Sequence, residues 1–484
     1  MPTRPTSLPA CCGSSPRRTI ERVSRCRAHT TAPAVTTPKY HAIASDLSQT
    51  ILTGQLAAGD KLPPHRVLAK RLGVTTGTVS RAYASLERRG LATARVGDGT
   101  YVRHLNVATN LDGSASASAP IDLAYNVAIP TEESAALLGV FDQLRLDPNR
   151  LAELLLYQPE AGIKRHRMIG ADWLRAFGTS GDWNRVMVTH GAQHGLAGVL
   201  RTIARPGDTL LAESLTYPGL LSLARSLRLQ VIGVTMDDEG LLPDALDRAA
   251  QTFQGKLLFC SPTLHNPTTS TMGSARREAI AAVVRRRNLL LMEDVVHAAV
   301  LTNPPPAIST LLPDHSFLMA SMSKVFAPGL RVGFLEASPA WLDKVAASIR
   351  ADCWMVAPLM PEIATQWLAN GEAQRLIALQ RAHIAERQEL AHHILSGLDY
   401  RWRPDHPHLW LPLHEPWTSS SFAAALRQVG VLVRTADQFA AGRTPAPQAI
   451  RISLNSAGTL DQLTQGLTKV LSLLARRDTD TLPH

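Results

Sequence analysis

The chain has 484 residues, of which 45% are hydrophobic and only 19% charged, enough apolar content for two buried cores and too much for an extended, low-complexity protein. A formal net charge of +10 favours an acidic partner such as nucleic acid, although charge alone says nothing about fold. No apolar run approaches the roughly 20 residues of a membrane helix, and the start lacks the apolar centre of a secretory signal, so an unexported, cytoplasmic protein with no membrane partner is expected.

Residues 1–37 carry Arg4, Arg17, Arg18, Arg22, Arg25 and Arg27 against Glu21 alone, among Ser, Thr and Pro. They read as a disordered basic tail, either incidental or an arm that helps hold DNA. Cys11, Cys12 and Cys26 lie in this tail, and Cys260 and Cys353 stand alone, so the five cysteines have no metal-ligand spacing and suit a reducing compartment.

A small domain is expected over 38–102. Tyr40, Ile43, Leu47 and Ile51 recur at helical spacing up to Gly54. In "LPPHRVLAKRLGVTTGTVSRAYASLERRG", Val67, Leu68 and Leu72 form one short apolar face, Gly73 and Val74 a tight turn, and Val79, Ala82 and Leu86 the face of a second helix beginning near Thr75 or Thr76. Two short helices so joined read as helix-turn-helix, with Thr78, Arg81 and Arg88 turned outward. "ATARVGDGTYVR" then alternates around Gly-Asp-Gly as a hairpin, which makes the unit winged. From Lys39 to Arg103 ten basic residues stand against Asp46, Asp60, Glu87 and Asp98, so more than half of the net charge sits here.

Residues 40–102 resemble the winged helix-turn-helix of the GntR family of bacterial transcription regulators: "LPPHRVLAKRLGV" is similar to its Leu-Pro-x-x-Arg-x-Leu-Ala core, "TVSRAYASLERRGL" to its recognition helix and "GDGTYV" to its wing. The resemblance implies a double-stranded DNA operator contacted by Arg66, Thr75, Thr76, Thr78, Ser80 and Arg81 and by the wing at Gly97 and Gly99. Two positions depart from the pattern: Pro64 replaces a capping serine, and Thr76 an arginine that contacts DNA.

"RHLNVATNLDGSASASAP", spanning 103–120, has no periodicity and reads as a flexible linker. Beyond it, over 121–478 and before a short tail at 479–484, the runs "RVMVTH", "DTLLAES", "QVIGVTM", "KLLFCSP", "LLLMED" and "FLMASMS" alternate with helical segments. This predicts an α/β domain with a mainly parallel sheet covered by helices. Ligands of such sheets bind at the carboxyl ends of strands, where the sequence offers Gly191-Ala192-Gln193, Tyr217-Pro218, His265-Asn266-Pro267, Asp294 to His297, and Ser321 to Lys324. A helix start at Ala192 and Gln193, the Ser321 hydroxyl and the Arg331 guanidinium suit a phosphate. Tyr217 can stack on a ring, Asp294 can pair with a protonated pyridine nitrogen, Asn266 can donate to a ring phenolate, and a desolvated Lys324 can form an imine. Together these describe a pyridoxal 5'-phosphate site.

From 121 to about 475 the chain resembles the fold type I aminotransferase domain, and with the front domain it is similar to the MocR subfamily of GntR regulators. "SMSKVFAPGLRVG" carries the family's Ser-x-Ser-Lys-x-x-x-Pro-Gly-x-Arg-x-Gly, and "SPTLHNPTT", "MEDVVH" and "AIRISL" its further motifs. The resemblance implies that Lys324 holds the cofactor, that Ser321 and Arg331 hold its phosphate, and that Asn266 and Asp294 meet its ring. It implies further that Arg451 binds an amino acid carboxylate, and that Tyr157 reaches the phosphate of a neighbouring subunit. His297 departs from a tyrosine, Val295 from a second aspartate, Thr269 from the loop glycine, and "PDHPHLWL" lacks a glycine pair. Since histidine titrates near neutrality, His297 is expected to soften control of the imine proton. The expected protein is a homodimeric regulator that senses pyridoxal phosphate or an amino compound at Lys324. The rivals are a working aminotransferase with an accessory DNA-binding domain and a DNA-binding protein on a cofactor-free scaffold.

Overall fold

The computed structural model describes residues 39–52, 56, 60–89, 91–95, 99–102, 120–442 and 445–475. The basic tail at 1–37, Gly54, Gly97, nearly all of the 103–120 linker and the 479–484 tail lie outside the described residues. The chain divides into two compact units, one up to Arg103 and one from His104 onward.

In the front unit, helices Lys39–Leu52, His65–Leu72 and Thr76–Arg88 precede a hairpin of Ala92–Arg95 and Gly99–Val102, paired antiparallel with Ala92 opposite Val102. Gly73 ends the second helix at a left-handed φ of 62°, and Thr75 caps the third by accepting from the Thr78 amide at 3.2 Å. The expected core residues Leu47, Ile51, Val79, Ala82 and Leu86 are buried, and the Tyr83 hydroxyl donates to the Pro63 carbonyl at 2.7 Å. One expectation is corrected. On the second helix Leu68 and Ala69 are buried, whereas Val67 and Leu72 are 56% and 38% exposed. Eight residues make little more than two turns, so the stripe meeting the third helix is narrow. With Pro64 at its N-cap this helix starts without a side-chain cap, and only the Pro64 carbonyl serves it, accepting from Val67 and Leu68 at 2.9 and 3.0 Å.

The large unit is built on seven strands in the spatial order Val186–Thr189, Gly333–Glu336, Ser316–Ser321, Leu290–Asp294, Leu257–Cys260, Thr209–Glu213 and Gln230–Val234. Every pairing is parallel except the two made by Gly333–Glu336. Successive side chains go to opposite faces. Leu210, Leu257, Met292 and Phe317 pack under helices Ala192–Ile203 and Pro339–Cys353, while Leu211, Leu258 and Leu291 pack under Pro243–Phe253 and Ser274–Arg287. Burial on both faces is why these strands read as unbroken apolar runs.

A second, antiparallel sheet of His408–Pro412, Ala449–Ser453 and Arg434–Thr435 sets both Trp410 and Arg434 opposite Arg451. Ile121–Asp122 pairs with Val431–Leu432, which lays Ala124–Asn126 alongside Arg451.

Three helices meet at one buried carboxylate. Glu362, 1% exposed on Leu359–Ala369, accepts from Arg150 at 2.7 Å, Arg165 at 2.5 Å, His166 at 2.7 Å and Gln366 at 3.0 Å. Burial alone would raise its pKa, but these four donors outweigh burial and hold it well below the usual carboxylate range. Removing one partner of such a group strands the others. Glu362→Ala is therefore expected to destabilise the large unit by about 3 kcal/mol or more in urea unfolding of the cofactor-free protein. A loss below about 1 kcal/mol would mean that the node does not hold these helices together.

Candidate functional site

Because the strands run parallel, their carboxyl ends open onto one cavity of about 410 Å³. Ala192, Gln193, Tyr217, Asn266, Asp294, His297, Ser321, Lys324, Arg331 and Arg451 all line it. Of the large-unit residues expected to meet the cofactor or its ligand, Tyr157 stays outside: it is 82% exposed, with its ring 6.0 Å from that of Trp354.

The phosphate-sized end is a cradle of small groups. Helix Ala192–Ile203 opens at Gly191 with no side-chain cap, so its first amides face outward. Gly191 has φ 75°, and a Cβ there would stand 2.8 Å from an Arg331 nitrogen and 3.6 Å from Ser321 Oγ. Arg331, left-handed at φ 54°, donates to Ser323 Oγ at 3.1 Å, and Ser323 accepts also from Ser321 Oγ at 3.0 Å. At Gly219 a Cβ would fall 2.3 Å from the Tyr217 ring, so a glycine keeps the place of that ring clear.

At the other end Lys324, closing the turn Met322–Lys324, donates from Nζ to the Asn126 carbonyl at 2.6 Å. Burial, then Arg451 and Arg331, pushes its pKa down to about 8 against the pull of Asp294. Burial likewise raises Asp294 to about 6, although the Val296 amide, which donates to its Oδ1 at 2.9 Å, and Lys324 oppose this. Arg451 donates from Nη1 to Asn266 Oδ1 at 2.7 Å and from Nη2 to the Ala124 carbonyl, leaving its buried Nε without a partner. That orients the Asn266 amide nitrogen away from Arg451.

His297 corrects an expectation. Enclosure, then the nearby His406, drives its pKa well below the ordinary value, so it is neutral at pH 7 rather than poised to titrate. Its ring stacks on His406 at 5.4 Å and meets His408 edge-on at 6.2 Å, while His265 and His406 are each lowered to about 3 by burial. His408 donates from Nε2 to the Pro267 carbonyl at 2.9 Å, so its Nδ1 accepts from the Asn126 amide nitrogen at 2.6 Å. Asn126 Oδ1 remains buried and unpartnered in a residue that lines the cavity.

Tyr125, Asn126, Ser261, Arg434 and Phe439 also line the cavity without having been singled out in the sequence. Ser323, which lines it too, was readable inside its motif. Among the described residues, four cations (Lys324, Arg331, Arg434, Arg451) and one acid (Asp294) line the cavity. Pyridoxal phosphate suits this donor set: the glycine-cleared cradle takes the phosphate, and an acid stands opposite an amine with a lowered pKa.

In the front unit, Arg66, Thr75, Thr76, Ser80, Arg81 and Gly99 are exposed and Thr78 is half-buried. No group of His, Cys, Asp or Glu among the described residues is arranged to hold a metal ion, and no described helix is long and apolar enough to cross a membrane.

Comparison with known proteins agrees with both units. Residues 153–470 match the aminotransferase class I and II family, and residues 39–102 the bacterial regulatory proteins of the gntR family. The chain is 29% identical over 450 residues to the uncharacterized HTH-type transcriptional regulator YdeF of Bacillus subtilis, covering 90% of this chain and 94% of that one. It is 27% identical to the vitamin B6 salvage pathway transcriptional repressor PtsJ of Salmonella typhimurium, covering 86% and 94%. The crystal structure of Pyrococcus horikoshii kynurenine aminotransferase superposes with a TM-score of 0.67 over 74% of this chain and 91% of that one; at 20% identity this is a likeness of fold.

A Lys324 pKa of about 8 has a kinetic consequence. The neutral amine rises from about a tenth of the population at pH 7 to about three quarters at pH 8.5, so covalent uptake of pyridoxal phosphate by cofactor-free protein is expected to accelerate about eightfold across that interval. Stopped-flow absorbance reads this directly. A flat profile, or equal uptake by Lys324→Ala, would put the nucleophile elsewhere.

Proposed function

The chain belongs to the aminotransferase class I and II family with a gntR-type DNA-binding domain ahead of it, and from that premise we propose a pyridoxal-phosphate-dependent transcription regulator of the MocR type. The observation that carries this reading is that one chain joins an externally basic, capped recognition helix to a cavity where an amine, an acid and three guanidinium groups meet.

When bound, the cofactor supplies an aldehyde for covalent attachment and an electron-withdrawing ring. Lys324 would be the attachment point, and Ser321, Arg331 and the open amides of Ala192 and Gln193 would hold the phosphate. Asp294 would keep the ring nitrogen protonated, Asn266 would donate to the ring oxygen, Tyr217 would cover a ring face, and neutral His297 lines the same cavity. Arg451 would receive the carboxylate of an amino compound that competes with Lys324 for the cofactor's aldehyde. Binding of that compound shifts operator affinity only so far as it favours one state of the protein over another.

We place the protein in the cytoplasm as a homodimer. Directly after helix Pro148–Leu154, Leu155, Leu156 and Tyr157 are 80%, 63% and 82% exposed, and Trp354 beside Tyr157 is 56% exposed. A contiguous apolar surface of this kind calls for a covering partner. A second copy would cover it and bring Tyr157 to the partner's phosphate, and the two front units would read a paired operator through Arg66, Thr75, Thr76, Thr78, Ser80, Arg81, Gly97 and Gly99.

A working aminotransferase is the second reading, favoured by Lys324, Asp294, Asn266 and Arg451 sharing one cavity. Sustained conversion of an amino donor and a keto acid without operator binding would be its signature.

Fluorescence-anisotropy titration on the DNA upstream of the coding sequence tests the main reading. Arg81→Ala is expected to weaken binding by about 1–3 kcal/mol, and Lys324→Ala to abolish the response to pyridoxal phosphate. If the vitamer changes neither affinity nor footprint in the wild type, the reading fails. Separately, Leu156→Arg is expected to shift the protein towards monomers in light scattering; an unchanged mass would reject this face as the dimer contact.

A further inference from the structure

Among the described residues, Arg434 is the one cation of the cavity that neither the cofactor nor a single carboxylate requires. In the arrangement proposed above, Arg331 faces the phosphate, Asp294 the ring nitrogen, and Lys324 is consumed by attachment. Two guanidinium groups then remain on the effector side, Arg434 and Arg451.

They are direct cross-strand neighbours, in register where Arg434–Thr435 pairs with Ala449–Ser453. Like charges set opposite each other destabilise a sheet, so the pair is costly unless something negative lies between or above it. Burial first and Arg434 second push Arg451 down to about 9. Asp122 is the carboxylate that senses both arginines, but burial raises its own pKa, and its Oδ1 already accepts from the Ala124 amide at 2.7 Å.

Both guanidinium groups are also held in advance. Arg434 lies over the Tyr125 ring, 4.5 Å from its centroid, and donates from Nη1 to Gln438 Oε1 at 2.9 Å. Arg451 is tied to Asn266 and Ala124, with a buried, unpartnered Nε. Tyr125 is itself a cavity residue, next to the Asn126 whose carbonyl accepts from Lys324, so Arg434 is fixed to the same segment that positions the amine. Rigid donors of this kind bind an anion without first being ordered.

We propose that Arg434 is a second anion-binding residue of the effector site, and that the effector is an amino acid with a second acid group, a carboxylate or a phosphate, held between Arg434 and Arg451. The proposal rests on the reading of the cavity as a pyridoxal phosphate and effector site.

The test uses full-length protein whose cofactor content has first been confirmed by absorbance. Calorimetry then gives affinities for three pairs that differ in the second acid group: aspartate and asparagine, glutamate and glutamine, phosphoserine and serine. At least one acid is expected to bind about tenfold or more tightly than its neutral counterpart, and the favoured pair identifies carboxylate or phosphate. Arg434→Gln is expected to lower that acid-to-neutral ratio about tenfold, while Arg434→Lys, which keeps the charge, retains most of it. Equal affinity within every pair in the wild type overturns the proposal even if the variants do not fold. An unchanged ratio in a folded Arg434→Gln protein overturns it as well. Failure of the wild type to take up cofactor would instead defeat the reading on which the proposal rests.

Discussion

An amine enclosed with three guanidinium groups and a single carboxylate gives up its proton more readily than it would in water, and the layout of the cavity follows from that constraint. Lys324 is drawn to the Asn126 carbonyl, a neutral acceptor, at 2.6 Å. Asp294 is enclosed enough to be raised to about 6. Together they give a nucleophile that is partly neutral near physiological pH, facing an acid that gains from a cationic partner. Delivering both groups to one place needs adjacent parallel strands, because only there do Leu290–Asp294 and Ser316–Ser321 end side by side.

How much of this could be read in the sequence depends on how local each contact is. Ser321, Lys324 and Arg331 lie within a dozen residues and act within that span, so their motif was legible. The rule that ligands sit at strand carboxyl ends found Gln193, Tyr217, Asn266 and Asp294 without any contact being known. Asn126 and Arg434 were missed because each acts through a strand pairing or a hydrogen bond to a segment far away in the chain. Val67 was misjudged for a different reason: on an eight-residue helix, apolar composition does not tell which side meets a neighbour.

In the large unit, the departures at Thr269, at His297 and in the segment around His406 and His408 lie in one region. Thr269 takes the left-handed φ of 65° where a glycine is usual, a strained conformation for a β-branched residue. It is held there by its own amide donating to the His265 carbonyl at 2.8 Å. His265 packs in the same buried region as His297, His406 and His408, and the last two bond the Leu264 and Pro267 carbonyls of the same loop. The loop that presents Asn266 is thus shaped in part by two neutral imidazoles, His406 and His408, donating to its backbone. A histidine in such a setting is a structural donor, and its identity as a titrating residue in the sequence is misleading.

This bears on why so complete a site can serve regulation. Turnover requires protons to move repeatedly between the substrate carbon and Lys324, while His297, held far below its ordinary pKa, stays neutral throughout. Regulation asks for less. A tenfold shift in operator affinity needs a difference of only about 1.4 kcal/mol between two states, on the order of one hydrogen bond to a charged group. An effector anion that meets Arg451 in one state and not in the other would supply that much, so the binding chemistry of the cavity is by itself sufficient for a regulator.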